Sequence, residues 1–502
     1  MSDQLLGEEP RTYFIGGDNS ATRWITPRRV WQLLGGLALL VAVVATVTVS
    51  QSLLVLVVWA AAIGLAAHVL RRRDRKGGGW AGSWAERLRA TLAWRFGWDA
   101  YDPELEGTPF VLGRVAVLAP SATEDSPELA VIDQVDERVF TTVLRIEGGG
   151  DGLHEIWESN QRQSRFGQLL RAIANDDNLP VNQLDMLTHA IPATGDEYRR
   201  HMSAELREDL PPAVDESMSS LGDLVSDRSE GFSSYLVVRM PIDDLAARCR
   251  ADLGQISDEG LAETAFLVTG EVGLMFEEAG YQALPGGVPP RSLGALIRHL
   301  YLPSRSADDL TGIGQTLDGF PAFAQARDGR SLISYDEQAQ MTWHHAIGDV
   351  PTDGWPLDLV AGRLLSQLIL EAPPGLRRTV ISQFRLLPQH VAVARARGAL
   401  TSARASVIGQ HKRGVVSTGV PEGREDAAQL VLTDVGRGQH AGVQPMVRML
   451  VSAPSAEHLH RVRNSVQTLA AGTGFSKWRW RDGRHAQAMM TCLPLGRGIA
   501  GI

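Results

Sequence analysis

Histidines are the residues most able to bind a metal in this chain, but their spacing does not suit a shared site. His344 and His345 are adjacent in a predicted strand, so their rings point to opposite faces of a sheet. His458 and His460 are two residues apart on a predicted helix and diverge similarly. We therefore predict no metal-binding residues.

Nucleotide chemistry lacks its usual sequence signature. A phosphate-binding loop has the form GxxxxGK[ST], in which backbone amides and a lysine hold the phosphates. The nearest segment, Gly472-Thr-Gly-Phe-Ser-Lys477, has a different spacing and is predicted to be a turn between a helix and a strand. The patterns GxSxG, HExxH and CxxC are also absent from the sequence. We predict no catalytic or cofactor-binding residues, no cofactor and no enzymatic activity; an enzyme with an unrecognised site is the weaker alternative.

Composition limits the class of protein. The chain has 502 residues, of which 44% are hydrophobic, enough for two to four domains with packed cores. Its net charge of -9 disfavours DNA binding as the main role, although a local basic patch remains compatible with it. Cys249 and Cys492 are the two cysteines, which indicates a reducing compartment and no disulfide framework.

A long apolar segment dominates the N-terminal region. Val30 to Leu70 contains no Asp, Glu, Lys or Arg, and a single helix of that length would run about 60 Å, twice what a bilayer core needs. The polar Ser50-Gln51-Ser52 predicts a turn between two transmembrane helices. The predicted membrane-anchoring cations on either side are Arg28, Arg29, Arg71, Arg72 and Arg73. Positive charge at both outer ends predicts a multi-pass protein of the cell membrane with both termini in the cytoplasm.

Two alternatives to this hairpin are weaker, and an aromatic segment follows it. A cleaved signal peptide is disfavoured because the run starts late and ends in basic residues, and a buried core hairpin is disfavoured by its arginine flanks. Trp80 and Trp84 lie at helical spacing with nearby arginines, which favours an interfacial helix that contacts membrane lipid. A helix packed on the folded domain is the alternative.

The remaining sequence predicts a cytoplasmic α+β region. Strand and helix patterns recur in a similar order in its two parts, which predicts open-faced sheets in two duplicated, ferredoxin-like halves. The predicted hairpins are 129–134 with 139–146, 331–336 with 341–347, and one within 478–493 that turns at Asp482-Gly483. The predicted divisions are a cytoplasmic segment 1–29, the transmembrane hairpin 30–70, a juxtamembrane segment 71–110, and α+β domains 111–305 and 306–502.

A polar insertion interrupts the second domain at about 388–436. Its cations are candidate partner contacts, for an acidic protein surface or for nucleic acid, and a solvated helix is the plainer reading; they are Arg395, Arg397, Arg404, Lys412 and Arg413. The absence of aromatic residues from this stretch weakens a role in binding single-stranded nucleic acid.

Several short motifs, in order along the chain, carry a family resemblance. They are Arg11-Thr-Tyr-Phe-Ile-Gly16, Trp80-Ala-Gly-Ser-Trp84, Phe140-Thr-Thr-Val-Leu-Arg145 with the glycines 148–150, and Thr491-Cys-Leu-Pro-Leu-Gly-Arg-Gly498. In this order the chain resembles a membrane protein of actinobacterial integrative and conjugative elements. That family is similar to a fusion of the small two-span subunit of type IV secretion systems with the N-terminal, non-motor domain of the conjugative-transfer ATPase.

The resemblance implies a function. In the ATPases a Leu-Pro-Leu-Gly-like segment leads into the motor domain, so the motor would here be a separate polypeptide. The expected function is a non-enzymatic inner-membrane scaffold of a conjugative DNA-transfer machine that docks this ATPase and other membrane subunits in a hetero-oligomeric complex. The alternative is a membrane subunit of a type VII protein-secretion complex.

Overall fold

The computed structural model describes fifteen ranges and four isolated residues of the chain. They are 12–13, 115–118, 129–147 without 136, 156–192, 230–283, 286–321, 324–325, 330–351, 354–355, 360–361, 365–370, 376–412, 420–436, 442–482 and 485–498, with residues 214, 216, 217 and 220.

Short and long strands alternate with helices along these residues. The strands are β1 Thr12–Tyr13, β2 Val115–Leu118, β3 Val131–Gln134, β4 Val139–Glu147, β5 Gln183–Pro192, β6 Glu230–Pro241, β7 Gln282–Ala283, β8 Ala324–Gln325, β9 Leu332–Asp336, β10 Met341–Asp349, β11 Val360–Ala361, β12 Arg377–Leu387, β13 Gly442–Ala453 and β14 Arg479–Trp480. The helices are α1 Ile156–Asn175, α2 Ile242–Leu253, α3 Asp258–Glu278, α4 Pro290–Tyr301, α5 Ser366–Leu370, α6 Gln389–Lys412, α7 Val420–Gly436, α8 Ala456–Gly472 and α9 His485–Met490, with a 3-10 helix at Thr316–Gly319.

Twelve strands form one antiparallel sheet, while β1 and β11 pair separately. The sheet order is β2-β3-β4-β6-β5-β12-β13-β10-β9-β8, with β7 beside β4 and β14 beside β10. Equivalent strands of the two halves occur in the same order when they are counted from either edge of the sheet. Each half contributes a hairpin, a central pair and a short accessory strand. The halves join where β5 pairs with β12, in a register that sets Gln183 opposite Arg385 and Ala190 opposite Arg378.

Alternation along the central strands divides the buried side chains between two faces of the sheet. Val143 and Val237 lie on one face, which α4, α9 and residues 491–498 cover; we call it the α4 face. Leu144 and Leu236 lie on the other face, under α1, α2 and α3, and α8 covers this same face in the second half. The sheet is therefore the middle layer between two layers of helix and irregular chain.

The predicted sheets are corrected by this arrangement. Open-faced sheets in two ferredoxin-like halves would leave one face of each sheet uncovered, whereas one continuous sheet is covered on both faces. The cause is visible in β4 and β6, whose central residues are buried on both sides instead of alternating with polar ones.

The predicted transmembrane hairpin, and the multi-pass membrane localisation derived from it, are also corrected. Within the described residues no helix is both long enough and apolar enough to cross a bilayer. The long helices α3 and α6 carry ionised side chains along their length, among them Glu263 and Glu271 in α3 and Arg397 and Arg404 in α6. The predicted hairpin residues, 30–70, lie outside the described residues.

Two of the three predicted hairpins are present. β3 pairs with β4 and β9 pairs with β10, and each turn contains a residue with positive φ, Arg138 at 56° and Gln340 at 48°. The hairpin predicted within 478–493 is wrong, because only β14 is a strand there and α9 begins at His485.

A buried ion pair fastens the two halves on the face opposite α4. The guanidinium of Arg378 on β12 donates to both carboxylate oxygens of Glu230 on β6, over 2.8 and 2.7 Å. It also donates to the backbone oxygens of Leu368, Ile369 and Leu376. The Arg378 side chain is fully buried, so these acceptors replace the water it would otherwise bind.

Removing one member of this pair should strongly destabilise the protein. In Glu230→Gln the Arg378 charge remains buried without its counter-charge, and we expect a loss of about 3 kcal/mol in the free energy of unfolding, measured by urea denaturation. Arg404→Met is the matched control, since it removes the exposed pair with Glu425, and should cost under about 1 kcal/mol. Equal losses in the two variants would contradict this account.

Candidate functional site

A segment of turns and irregular backbone at 491–498, which we call the strap, lies on the α4 face. The side chains of Cys492, Leu493 and Leu495 belong to the apolar cluster beneath it and are nearly fully buried. That cluster also contains Ile132 of β3 and Leu332 of β9, which come from opposite ends of the sheet. The strap thus covers the place where side chains of both halves meet.

Three glutamines on three strands bind consecutive carbonyls of the strap. Gln134 of β3 donates to the backbone oxygen of Leu495, and Thr141 of β4 donates to the same oxygen over 3.3 Å. Gln183 of β5 donates to the oxygen of Gly496 over 3.2 Å. Gln383 of β12 donates to the oxygen of Arg497 over 2.7 Å. These glutamines, which we call the glutamine ladder, come from both halves of the sheet.

A buried carboxylate and a buried guanidinium hold the ladder in place. Asp185 accepts from the amides of Gln183 over 2.8 Å and Gln383 over 3.0 Å, one at each oxygen. Arg448 of β13 donates to the side-chain oxygen of Gln383 over 2.9 Å. Burial raises the pKa of Asp185 to about 6, although the two amides and the positive charges of Arg448 and Arg239 act in the opposite direction.

The end of the strap approaches this network so closely that its last described residue must be glycine. Gly498 has φ of +145°, and a Cβ placed on it would lie 2.3 Å from both the Arg448 Nη1 and the Gln383 Oε1. Any other residue would displace these groups. The Arg497 side chain turns back to donate to Gln134 Oε1 over 2.7 Å and lies near the carboxylate of Glu137.

The arrangement is suited to holding an irregular backbone segment. An amide side chain carries a donor and an acceptor, as a peptide group does, so the ladder can bind main-chain carbonyls without regard to the strap's side chains. The described residues contain no group of three or more His, Cys, Asp or Glu that could hold a metal ion. The site therefore holds a segment of the protein's own backbone through side-chain amides.

Replacing the central glutamine should release the strap. Gln383→Met keeps the size of the side chain but removes hydrogen bonds to Asp185, Arg448 and the Arg497 carbonyl, all in a buried site. We expect a loss of roughly 2–4 kcal/mol of stability and faster hydrogen exchange of the amides of 491–498, measured by mass spectrometry. Gln429→Met, at an exposed amide on α7, is the control and should change neither. Unchanged exchange in Gln383→Met would show that the ladder does not hold the strap.

A second polar chain on the same face has a fixed direction. The Nδ1 of His299 on α4 contacts the carbonyl of Arg305, which can only accept, so this nitrogen carries the proton. The Nε2 of neutral His299 is then an acceptor for the Nε2–H of His189 on β5, 2.6 Å away. The remaining nitrogen of His189 accepts from the Thr379 hydroxyl of β12 over 2.7 Å. A further proton on His299 would set two N–H donors against each other across this contact, so the His299 ring is neutral.

Burial lowers the pKa of both histidines, in His189 with help from the neighbouring His299, Arg377 and Arg378. Since the folded pKa lies below that of an unfolded histidine, the unfolded state binds more protons in acid. The stability that they contribute is complete above about pH 6.5 and is lost as the pH falls towards the lowered pKa. His345, on the same face, acts in the same direction, with a pKa lowered to about 3.

Removing one titrating ring should flatten this dependence. We expect His299→Gln to lose less free energy of unfolding than the wild type between pH 7 and pH 4.5, as measured by urea denaturation at a series of pH values. The raised pKa of Asp185 changes the stability with pH in the opposite direction, so neither curve is expected to be flat. The pH dependence of the variant is therefore compared with that of the wild type. His458→Gln, at an exposed histidine, is the control. Parallel curves for His299→Gln and wild type would refute the assignment.

Four of the five predicted partner contacts of the insertion lie on α6. Arg395 is partly buried and donates to Gln444 over 3.3 Å, while Arg404 pairs with Glu425 over 2.9 Å and stays exposed. Arg397 and Lys412 are exposed on the helix surface. Arg413 and the predicted membrane-anchoring residues lie outside the described residues; the latter are Arg28, Arg29, Arg71, Arg72, Arg73, Trp80 and Trp84.

Sequence reasoning missed the glutamine ladder and the histidine chain. Gln134, Gln183 and Gln383 are far apart along the chain, and their role depends on strand order. A usable signal was present in β5, where Gln183, Asp185 and His189 share one face of a largely apolar strand. That pattern marks a buried polar face.

No known protein family matches this sequence, and no curated protein matches it.

Proposed function

We propose that the protein is a non-enzymatic scaffold subunit of a conjugative DNA-transfer machine, on which a separately encoded ATPase docks. The observation that supports this proposal is the position of the strap. Its Leu493-Pro-Leu-Gly496 sequence resembles the segment that leads into the motor of conjugative ATPases, and here the glutamine ladder holds it across both halves of the sheet.

A linker can position a motor domain when the direction of the linker itself is fixed. A segment that is bound through its backbone carbonyls, and whose own side chains are buried, has a fixed direction at Gly498. In a single-chain ATPase such a fixed exit would orient the motor on the sheet. A separate motor needs the same orientation, which the surface beside the strap would supply through contacts between proteins.

A charged rim at the β3–β4 turn, which runs from the strap to the first turn of α2, offers such contacts. Glu137 lies within 3.7 Å of Arg497, and its neighbour Arg138 pairs with Asp243 over 2.6 Å at the surface. Asp243 is 77% exposed, at the first turn of α2. Charged groups at an interface rim set the rate and specificity of docking more than its final affinity.

The test is a mating assay joined to a binding assay. Deleting the gene should abolish plasmid transfer, and the wild-type chain and Gln429→Met should restore it, whereas Gln383→Met should restore it only in part because the strap is loosened. The purified chain should capture the ATPase encoded by the same element and should not hydrolyse ATP by itself.

Two results would overturn the proposal. Sustained ATP hydrolysis by the purified chain would make it an enzyme. Unchanged plasmid transfer in the deletion strain, together with lost protein export, would favour the type VII secretion alternative.

The Asp243→Arg variant tests the charged rim, with Asp252→Arg at the other end of α2 as the control. Only the Asp243→Arg variant should slow capture of the ATPase.

A further inference from the structure

An exposed stripe on α3 is apolar at its centre and acidic at its ends. Leu267 is 45% exposed and Leu274 is 62% exposed, with Gly270 between them. Glu263 and Glu278 are exposed one turn beyond each leucine. The five residues follow the spacing i, i+4, i+7, i+11, i+15, which sets them on one face of the helix. We call this face the acidic stripe.

Gly270 makes the centre of the acidic stripe open to close approach. A Cβ placed on this residue would meet no atom within 4 Å, so the backbone lies bare between the two leucines. Glycine within a helix costs about 1 kcal/mol relative to alanine. The opposite side of α3 packs into the core through Ala265, Val268 and Val272, so nothing in the helix's own packing requires this glycine.

A stripe with the same spacing and the opposite charge lies on α6. Arg397, Arg404 and Lys412 are exposed at positions i, i+7 and i+15, with Thr401 and Ile408 at i+4 and i+11. Ile408 is 54% exposed. We call this face the basic stripe. Each stripe is about 22 Å long, since fifteen steps of about 1.5 Å separate its first and last residues.

The two stripes complement each other in charge, length and shape. Laid side by side in either direction, they set Glu263 and Glu278 against Arg397 and Lys412, the cations at the two ends of the basic stripe. Gly270 then faces the long side chain of Arg404. A second acidic stripe would instead bring glutamate against glutamate, which disfavours a symmetric contact of α3 with α3.

We propose that the acidic stripe of α3 binds the basic stripe of α6 in a second copy of the chain. Both stripes are exposed within one chain, so the contact must join different molecules. Because the two surfaces differ, the contact is head-to-tail, and it builds a ring or an open filament according to the rotation between copies. The proposal is independent of the function proposed above.

The contact is small and charged. Two helix faces of this length bury less than a standard interface, so association is expected at roughly 10–100 µM. The ion pairs at its ends are exposed and are screened within about 10 Å at 0.1 M salt. Self-association should therefore weaken as the salt concentration rises.

A charge-swap experiment on the full chain tests the contact by sedimentation velocity. The wild type should self-associate, and E263K/E278K or R397E/K412E should each weaken association by about tenfold or more, because attraction becomes repulsion at both ends. The chain that carries all four changes has its complementarity restored and should associate as the wild type does. D244K/E457K, at exposed acids on α2 and α8, is the control for net charge and should behave as the wild type.

Three results would overturn the proposal. The first is a wild-type chain that stays monomeric up to about 100 µM. The second is a variant with all four changes that fails to regain association although its far-ultraviolet circular dichroism matches that of the wild type. The third is an R397E/K412E variant that associates normally but loses affinity for a single-stranded oligonucleotide, which would assign the basic stripe to nucleic acid.

Discussion

The antiparallel pairing of β5 with β12 is the contact on which the rest of the structure depends. It turns two sets of strands into one sheet, and it brings Gln183 and Gln383 to one face and Arg378 to the other. The strap on one side and the pair of Arg378 with Glu230 on the other both require it. A shift of one residue in this register would exchange the two faces of β12 and place Arg378 on the α4 face.

Buried polar groups make this register unique. Apolar side chains such as those of β4 and β6 pack almost equally well in more than one alignment, whereas a buried amide or charge tolerates only the alignment that supplies its partner. The glutamine ladder, the histidine chain and the ion pair of Arg378 all cross from one half to the other. Burying these groups without their partners would cost free energy, and the joined sheet therefore excludes other strand pairings.

Local structure could be predicted from the sequence where the pattern was local. The hairpins of β3 with β4 and β9 with β10 followed from alternation and a polar turn, and the helical character of the polar insertion followed from its composition. The covering of both faces could have been inferred from the continuous burial signal in β6, Tyr235 to Met240, which is apolar on both sides apart from Arg239. The interpretation of open-faced sheets gave too little weight to that run.

Non-local features could not be predicted in this way. The fold class was wrong because it gave the most weight to the apolar run at 30–70, and the described structure is instead organised by a twelve-stranded sheet. The partners of Gln383 lie on β5, on β13 and in the strap, at separations of up to 198 residues. Only a strand order reveals such contacts, and one sequence does not contain that order in readable form.

The strap also affects the order of events during synthesis. Residues 491–498 follow every strand and helix described here, so the ribosome makes them after the whole sheet has been translated. Until then Gln134, Gln183 and Gln383 lack their carbonyl partners, and the centre of the α4 face stays hydrated. A chain truncated before residue 491 would therefore leave an amide-lined groove open on the α4 face.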